Sequence, residues 1–253
     1  MTKISQSQIK GGGGGGGDAT SIQTTPVIGP ATTIGDTLVF DGYQYQVRQL
    51  TADDILPSFA ISSFGCGTAA YVLLGATVTN PTFTASYTTA PTSVTIHDNA
   101  SNPTVDETAT PHGFTYSYVY TKIVYGQSVS FTLTAVQGSI TKTASTGITW
   151  VQPVYYGIGA AGESSAAFNQ SLTGNLATSR NSTFTVAPGA TDYIYYAYRT
   201  AYGAATFTVG GFAGGFNVVS TTIAVTNANG VVENYTLYVS AQPDLGSTTV
   251  AVT

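Results

Sequence analysis

No window of ten residues in this chain sets apolar side chains at helical spacing, whereas short runs rich in Thr, Val, Tyr and Ile recur along most of its length. Such runs bury surface best as strands, because branched and aromatic side chains fit a pleated sheet and lose rotamer freedom against a helical turn. Helix formers are thin, with one Met and few Leu or Lys among 253 residues. The expected fold class is all-β: one or two immunoglobulin-like or jelly-roll-like β-sandwich domains after an extended N-terminal arm.

Charge narrows the function classes. Only 8% of residues are charged, about a third of the roughly 25% usual in globular domains. A surface hydrated by Thr, Ser and Asn in place of ions suits secreted or assembled shells better than cytosolic enzymes. The seven basic residues are scattered and the formal net charge is −5, so there is no cationic stripe for phosphates and nucleic acid is not an expected partner. No apolar run reaches the roughly 18 residues that would cross a bilayer, and the N-terminus lacks the apolar core of a secretory signal. Extracellular composition without an export signal is what a particle protein shows when it folds in the host cytoplasm and leaves by lysis. Cys66 has no partner cysteine and no basic neighbour in sequence, and reads as a small buried hydrophobe.

The first thirty residues stand apart. A polar peptide is followed by an unbroken glycine run from Gly11 to Gly17, then by Pro26 and Pro30. This reads as a linker joining a terminal docking peptide to the body. Ordering seven glycines costs on the order of 10 kcal/mol, so a docked arm needs a partner chain. Lys3, Ile4, Ile9 and Lys10 are its expected anchors, with the glycine backbone laid flat against that partner.

Beyond the arm, residues 31–70 hold a hairpin around the Asp41-Gly42 pair and a short helical or turn segment at 51–56. Strand patterns then recur at 72–74, 76–79, 82–87, 93–96, 114–120, 129–135 and 146–150, the spacing of a sandwich over 71–152. A second set follows at 183–186, 192–198, 205–209, 217–219, 221–225 and 234–240, with a hairpin signal at Asn229-Gly230. A boundary near Pro153 and a second sandwich over 153–253 are expected.

Three phrases carry a family likeness: Gly75-Ala-Thr-Val-Thr-Asn-Pro-Thr-Phe-Thr-Ala-Ser-Tyr87, Ile148-Thr-Trp-Val-Gln-Pro-Val-Tyr-Tyr-Gly157, and Tyr193-Ile-Tyr-Tyr-Ala-Tyr-Arg-Thr-Ala-Tyr-Gly203 followed by Phe207-Thr-Val-Gly-Gly-Phe212. They resemble modules of tail-fibre, baseplate and head-decoration proteins of tailed bacteriophages. The resemblance spans roughly residues 70–240 and implies a virion β-sandwich protein, often trimeric, without fixing its place on the particle.

Candidate chemistry is sparse. His97 and His112 lie fifteen residues apart and could join Asp98, Asp106 or Glu107 around a metal, but they lack the local spacing of a zinc motif. Asp98 to Asn102 supplies only a fragment of a calcium loop. Asp53 and Asp54 have a simpler role at a helix start, where the dipole favours acids. Glycoside cleavage needs two carboxylates across a cleft, and Glu163, Asp192, Glu233 and Asp244 have no partner nearby in sequence. Glycines 210, 211, 214 and 215 lack the Lys-Ser/Thr ending of a phosphate loop, and the four Asn-X-Ser/Thr triplets are chance in so Thr-rich a chain. No catalytic residue, metal or cofactor is expected.

On a strand through residues 193–199, Tyr193 and Tyr195 point to one face while Tyr196 and Tyr198 point to the other. Aromatic packing between sheets or subunits is the leading reading, and stacking on a host glycan is the rival. The expected function is thus a non-enzymatic virion component, docked by its arm onto other virion proteins and projecting its sandwiches as a homotrimer. The alternatives are a receptor-binding protein for surface glycans, a depolymerase, and a bacterial surface adhesin, which should carry a signal peptide.

Overall fold

The computed structural model describes residues 37–40, 45–48 and 58–253, and the chain divides into two compact units after residue 55. In the first unit, β1 (Thr37–Phe40) pairs antiparallel with β2 (Tyr45–Arg48), with Phe40 opposite Tyr45. The return strand therefore begins at Tyr45, two residues later than the Asp41-Gly42 turn implied. The docking arm with Lys3, Ile4, Ile9, Lys10, Gly11 and Gly17, and the segment at 51–56, lie outside the described residues.

Among its described residues the second unit is all-β apart from one short helix and a single 3-10 turn at Thr200–Tyr202. Its N-terminal half holds β3 (Ile61–Cys66), β4 (Tyr71–Leu73), β5 (Thr77–Thr79), β6 (Thr82–Tyr87), β7 (Ser93–Asp98), β8 (Val105–Asp106), β9 (Gly113–Thr115), β10 (Val119–Thr121) and β11 (Ser128–Gln137). Then comes β12 (Ile140–Gly159), and beyond it α1 (Ala166–Ser171), β13 (Thr173–Ala177), β14 (Ser182–Val186), β15 (Tyr193–Arg199), β16 (Phe207–Val209), β17 (Phe212–Ala213), β18 (Phe216–Thr226), β19 (Val232–Ser240) and β20 (Thr248–Val252).

One nine-stranded sheet runs through both halves in the order β18-β19-β15-β12-β11-β7-β8, with β4 and β13 also paired to β12. In the N-terminal half it packs against two smaller sheets, β3-β6-β9 and β10-β5. Phe83 on β6 and Phe131 on β11 meet in that core at 4.8 Å between ring centres, among Ile96, Leu133, Ile148 and Trp150. In the C-terminal half the sheet β14-β20-β16-β17 covers one face, burying Phe184, Tyr196, Tyr198, Phe207 and Val250. On the opposite face Phe168 of α1 packs against Tyr195, Tyr235 and Leu237, with Ile223 of the neighbouring strand β18 in the same cluster.

Several expectations are corrected by this pairing. The patterned run 114–120 is two strands: β9 pairs with β6 and β10 with β5. The break comes at Tyr116–Tyr118, opposite the Asn80-Pro81 break between β5 and β6, and the bonds Tyr116 N–H to Pro81 O and Asn80 N–H to Tyr118 O stitch the two breaks together. β3, Phe59 and Phe64 are built into the first core, so this half begins ahead of residue 71. The runs at 217–219 and 221–225 are one strand, β18, whose register shifts twice against β19. The boundary placed near Pro153 falls inside β12. The buried core does divide there, between Trp150 and Val154, but the strand does not. Pro153, which has no N–H to give, lies between Thr149, the last β12 residue paired with β11, and Tyr155, the first paired with β15, and stands opposite Leu176 of β13.

Candidate functional site

The tyrosine strand is the first candidate, and it lies inside the molecule. Tyr195, Tyr196 and Tyr198 are each at most 1% exposed, and Tyr193 is half-buried. β15 is the third strand from one end of the large sheet and is covered on both faces, which is why the run Tyr193 to Tyr198 shows no polar alternation. Each buried ring then needs a partner for its hydroxyl. Tyr195 donates to Ala160 O at 2.6 Å, Tyr196 to Arg180 O at 2.6 Å and Tyr198 to Gly203 O at 2.8 Å. Burial pushes the phenol of Tyr196 up, and that of Tyr198 likewise. Tyr195, Tyr196 and Tyr198 are consumed by packing between layers of one chain, the leading expectation, and are not free to hold a glycan or a neighbouring subunit.

The second candidate was the loop after β7. Asp98 is 5% exposed and accepts from Ala100 N–H, Asn102 N–H, the Asn102 amide at 2.7 Å and, most closely, the Tyr120 hydroxyl. Burial raises its carboxyl, but these four donors outweigh that and hold it below the usual carboxylate value. Tyr116, desolvated beside it, is pushed up to about 12. Asp98 is therefore a knot that closes the loop onto β10. His97, next to it on the strand, points outward, while His112 places Nδ1 3.1 Å from Ala85 O and its ring against the edge of Tyr87. Asp106 is held by Thr108 and Glu107 by Thr110. Among the described residues no group of three His, Cys, Asp or Glu gathers to hold a metal, and neither histidine hydrogen-bonds to a hydroxyl, thiol or carboxylate. Cys66 is half-buried against the first core.

Two constellations that sequence reasoning missed tie the halves together beside β12. In one, the Arg199 guanidinium lies 3.8 Å over the ring of Tyr125, which comes from the other half, and Nε sits 3.0 Å from a Glu233 carboxylate oxygen. That N–H does not align with the oxygen, so the attraction is coulombic more than a hydrogen bond. The hydroxyls of Tyr125 and Tyr202 converge on Ala177 O at 3.1 Å each, and Arg180 donates to Tyr202 O. In the other, the β18–β19 turn reaches back across the sheet. Asn227 donates to Leu74 O at 2.8 Å, Asn229 donates to the same oxygen at 3.2 Å, and Val231 packs on the first core. Gly75 is shaped to this seat: its φ is +83°, and a Cβ there would stand 2.7 Å from Val231 and 2.9 Å from Asn229. Residues so far apart in sequence leave no local signal, although the Asn-Gly pair did mark the turn.

The third feature is an exposed tip. Phe212 is 81% exposed on the β16–β17 hairpin, flanked by Gly210, Gly211, Gly214 and Gly215, all at positive φ. With Leu245 and Gln242 from the neighbouring loop it borders a shallow groove of about 250 Å³.

No protein-family model matches the chain, and no curated protein matches it. Among the described residues no helix is long and apolar enough to cross a membrane.

Proposed function

We propose that the protein is a non-enzymatic structural component of a virus particle of the tailed-phage kind, fixed to other virion proteins by its N-terminal arm and projecting a rigid pair of β-layered cores in a multi-copy, trimeric assembly. The observation that carries this reading is how the polar side chains are used. Asp98, Arg180, Arg199, Glu233, Asn227 and the buried tyrosines each close a loop or bind the two halves together. A fold whose Asp98, Arg180 and Arg199 close loops and join its halves, in a chain with only 8% charged residues, suits a passive shell or spacer.

A second reading, attachment to a host glycan, is favoured by Phe212, since an exposed ring held on a glycine-rich hairpin offers a flat apolar face for a sugar. Proteomics of purified particles, with antibody labelling under the electron microscope, tests the first reading. A chain that is absent from the particle and abundant in infected cells overturns it. A saccharide array probed with wild type and Phe212→Ser tests the second, which fails if no sugar binds or if the variant binds equally.

A further inference from the structure

We infer that Asn229 is a site of spontaneous deamidation that the closed junction between the halves holds in check, so that chemical ageing at this residue records how often the junction opens. Asn229 is followed by Gly230, the one Asn-Gly pair in the sequence, and lies exposed in the β18–β19 turn. Asparagine is a thermolabile residue, and a following glycine leaves its own backbone nitrogen sterically free to react.

The step needs only water and base. Base removes the Gly230 amide proton, the nitrogen attacks Asn229 Cγ, a C–N bond forms and the side-chain nitrogen leaves as ammonia. Water then opens the cyclic imide at either carbonyl, giving Asp or isoaspartate at position 229 and restoring one peptide link.

In the closed fold both reacting nitrogens are engaged. Gly230 N–H donates to Asn227 O at 3.0 Å, and the departing amide of Asn229 donates to Leu74 O at 3.2 Å. Asn229 N–H and Val231 N–H are both bound to Asn227 Oδ1, at 2.9 and 3.1 Å. Attack requires the turn to leave its seat on Leu74 and Gly75. Once Asp forms, a carboxylate faces the Leu74 carbonyl where an amide donor stood, two acceptors without a proton between them, and the seat cannot re-form as before. Isoaspartate adds a methylene to the main chain of a turn that Val231 and Gly75 already fill. The modification is thus a one-way loosening of the junction. It does not depend on where the protein resides.

The test incubates the full chain at mildly alkaline pH and follows acid formation at each asparagine by peptide mass mapping, beside a synthetic peptide of residues 225–234. Asn229 in the folded chain should react at least about tenfold more slowly than in the peptide. Val231→Ala should raise the rate at Asn229 several-fold while leaving Asn181, in an exposed loop of the same chain, unchanged. Gly75→Ala should raise it further, and should it fail to fold, Val231→Ala carries the test alone. Asn229→Asp should lower the melting temperature where Asn181→Asp does not. Equal rates in chain and peptide, or equal acceleration at Asn229 and Asn181, overturn the protective role of the junction. An unchanged melting temperature in Asn229→Asp overturns the one-way loosening.

Discussion

β11 and β15 belong to the same sheet, yet they are buried in different ways. β11, in the N-terminal half, alternates buried and half-exposed residues along its length, because one face meets the phenylalanine core and the other faces outward. β15, in the C-terminal half, has five consecutive buried residues, because layers close both of its faces. The chemistry follows the geometry. One-sided burial needs apolar residues at every second position, so the first core can be largely Phe, Val, Ile and Leu. Two-sided burial offers no solvent face for polar atoms, and the second core fills its volume with tyrosines whose hydroxyls satisfy loop carbonyls. A dry core is held by shape, and a tyrosine core by shape together with a hydrogen-bond roster.

The sharpest challenge to that contrast is to delete volume from the dry side. Phe131→Ala should cost about 3–5 kcal/mol, because the ring touches Phe83, Tyr116 and Tyr120. If the two halves are one cooperative body, calorimetry will show a single transition moved to lower temperature. Two separated transitions would break the picture of a shared sheet.

Asp98 is the buried carboxylate of the first half, where Tyr116, Tyr120 and Trp150 are the other polar exceptions, and removing it should cost about 3 kcal/mol by stranding Tyr120 and Asn102. Its ionised form is the one the fold prefers, with the carboxyl held below its usual value near 3.8. The stabilisation is therefore complete above that value and is lost as pH falls through the lower, folded value. Melting followed by circular dichroism between about pH 5 and pH 2 should show Asp98→Asn with a flatter acid limb than wild type. Parallel curves would remove Asp98 from the acid response.

On the tyrosine side, Tyr235→Phe should cost about 1–2 kcal/mol by leaving Pro153 O without its donor at 2.8 Å. Denaturant midpoints measure this, and a cost near zero would mean that the hydroxyl roster is incidental and that shape alone holds both cores. The smallest effect is expected at the tip, where Phe212→Ser should shift stability by no more than about 0.5 kcal/mol. A larger loss would show that the tip is packed against something in solution.

The same contrast explains what could be read from the sequence. The alternation of β11 and of the run 82–87 announced strands at nearly their true bounds, since each strand needs only its own period to declare a buried face. The all-β class followed from the same signal. α1 was missed because six residues cannot show a helical period, and its N-cap, Ser165 accepting from Phe168 N–H, was an unremarked serine among many. The tyrosines were identified, but their burial on both faces depends on β20, β16 and α1, none of which β15 reveals. The junction was illegible for a different reason: Arg199 over Tyr125 and Asn227 on Leu74 are pairings set by topology, and no local pattern encodes them. Pro153 misled because a proline ordinarily ends a strand, whereas here β12 runs straight through it, with Pro153 opposite Leu176 of β13.

β12 has a mechanical consequence. Its twenty residues, at about 3.3 Å each, give a single extended backbone roughly 65 Å long that is hydrogen-bonded into both halves. A pull applied at one end is carried by covalent bonds and ladder shear, with no hinge between modules to absorb it. Tension that would first straighten a linker in a beads-on-a-string protein is met at once by the full resistance of the sheet, so the molecule should behave as a stiff strut up to the load at which both cores yield together.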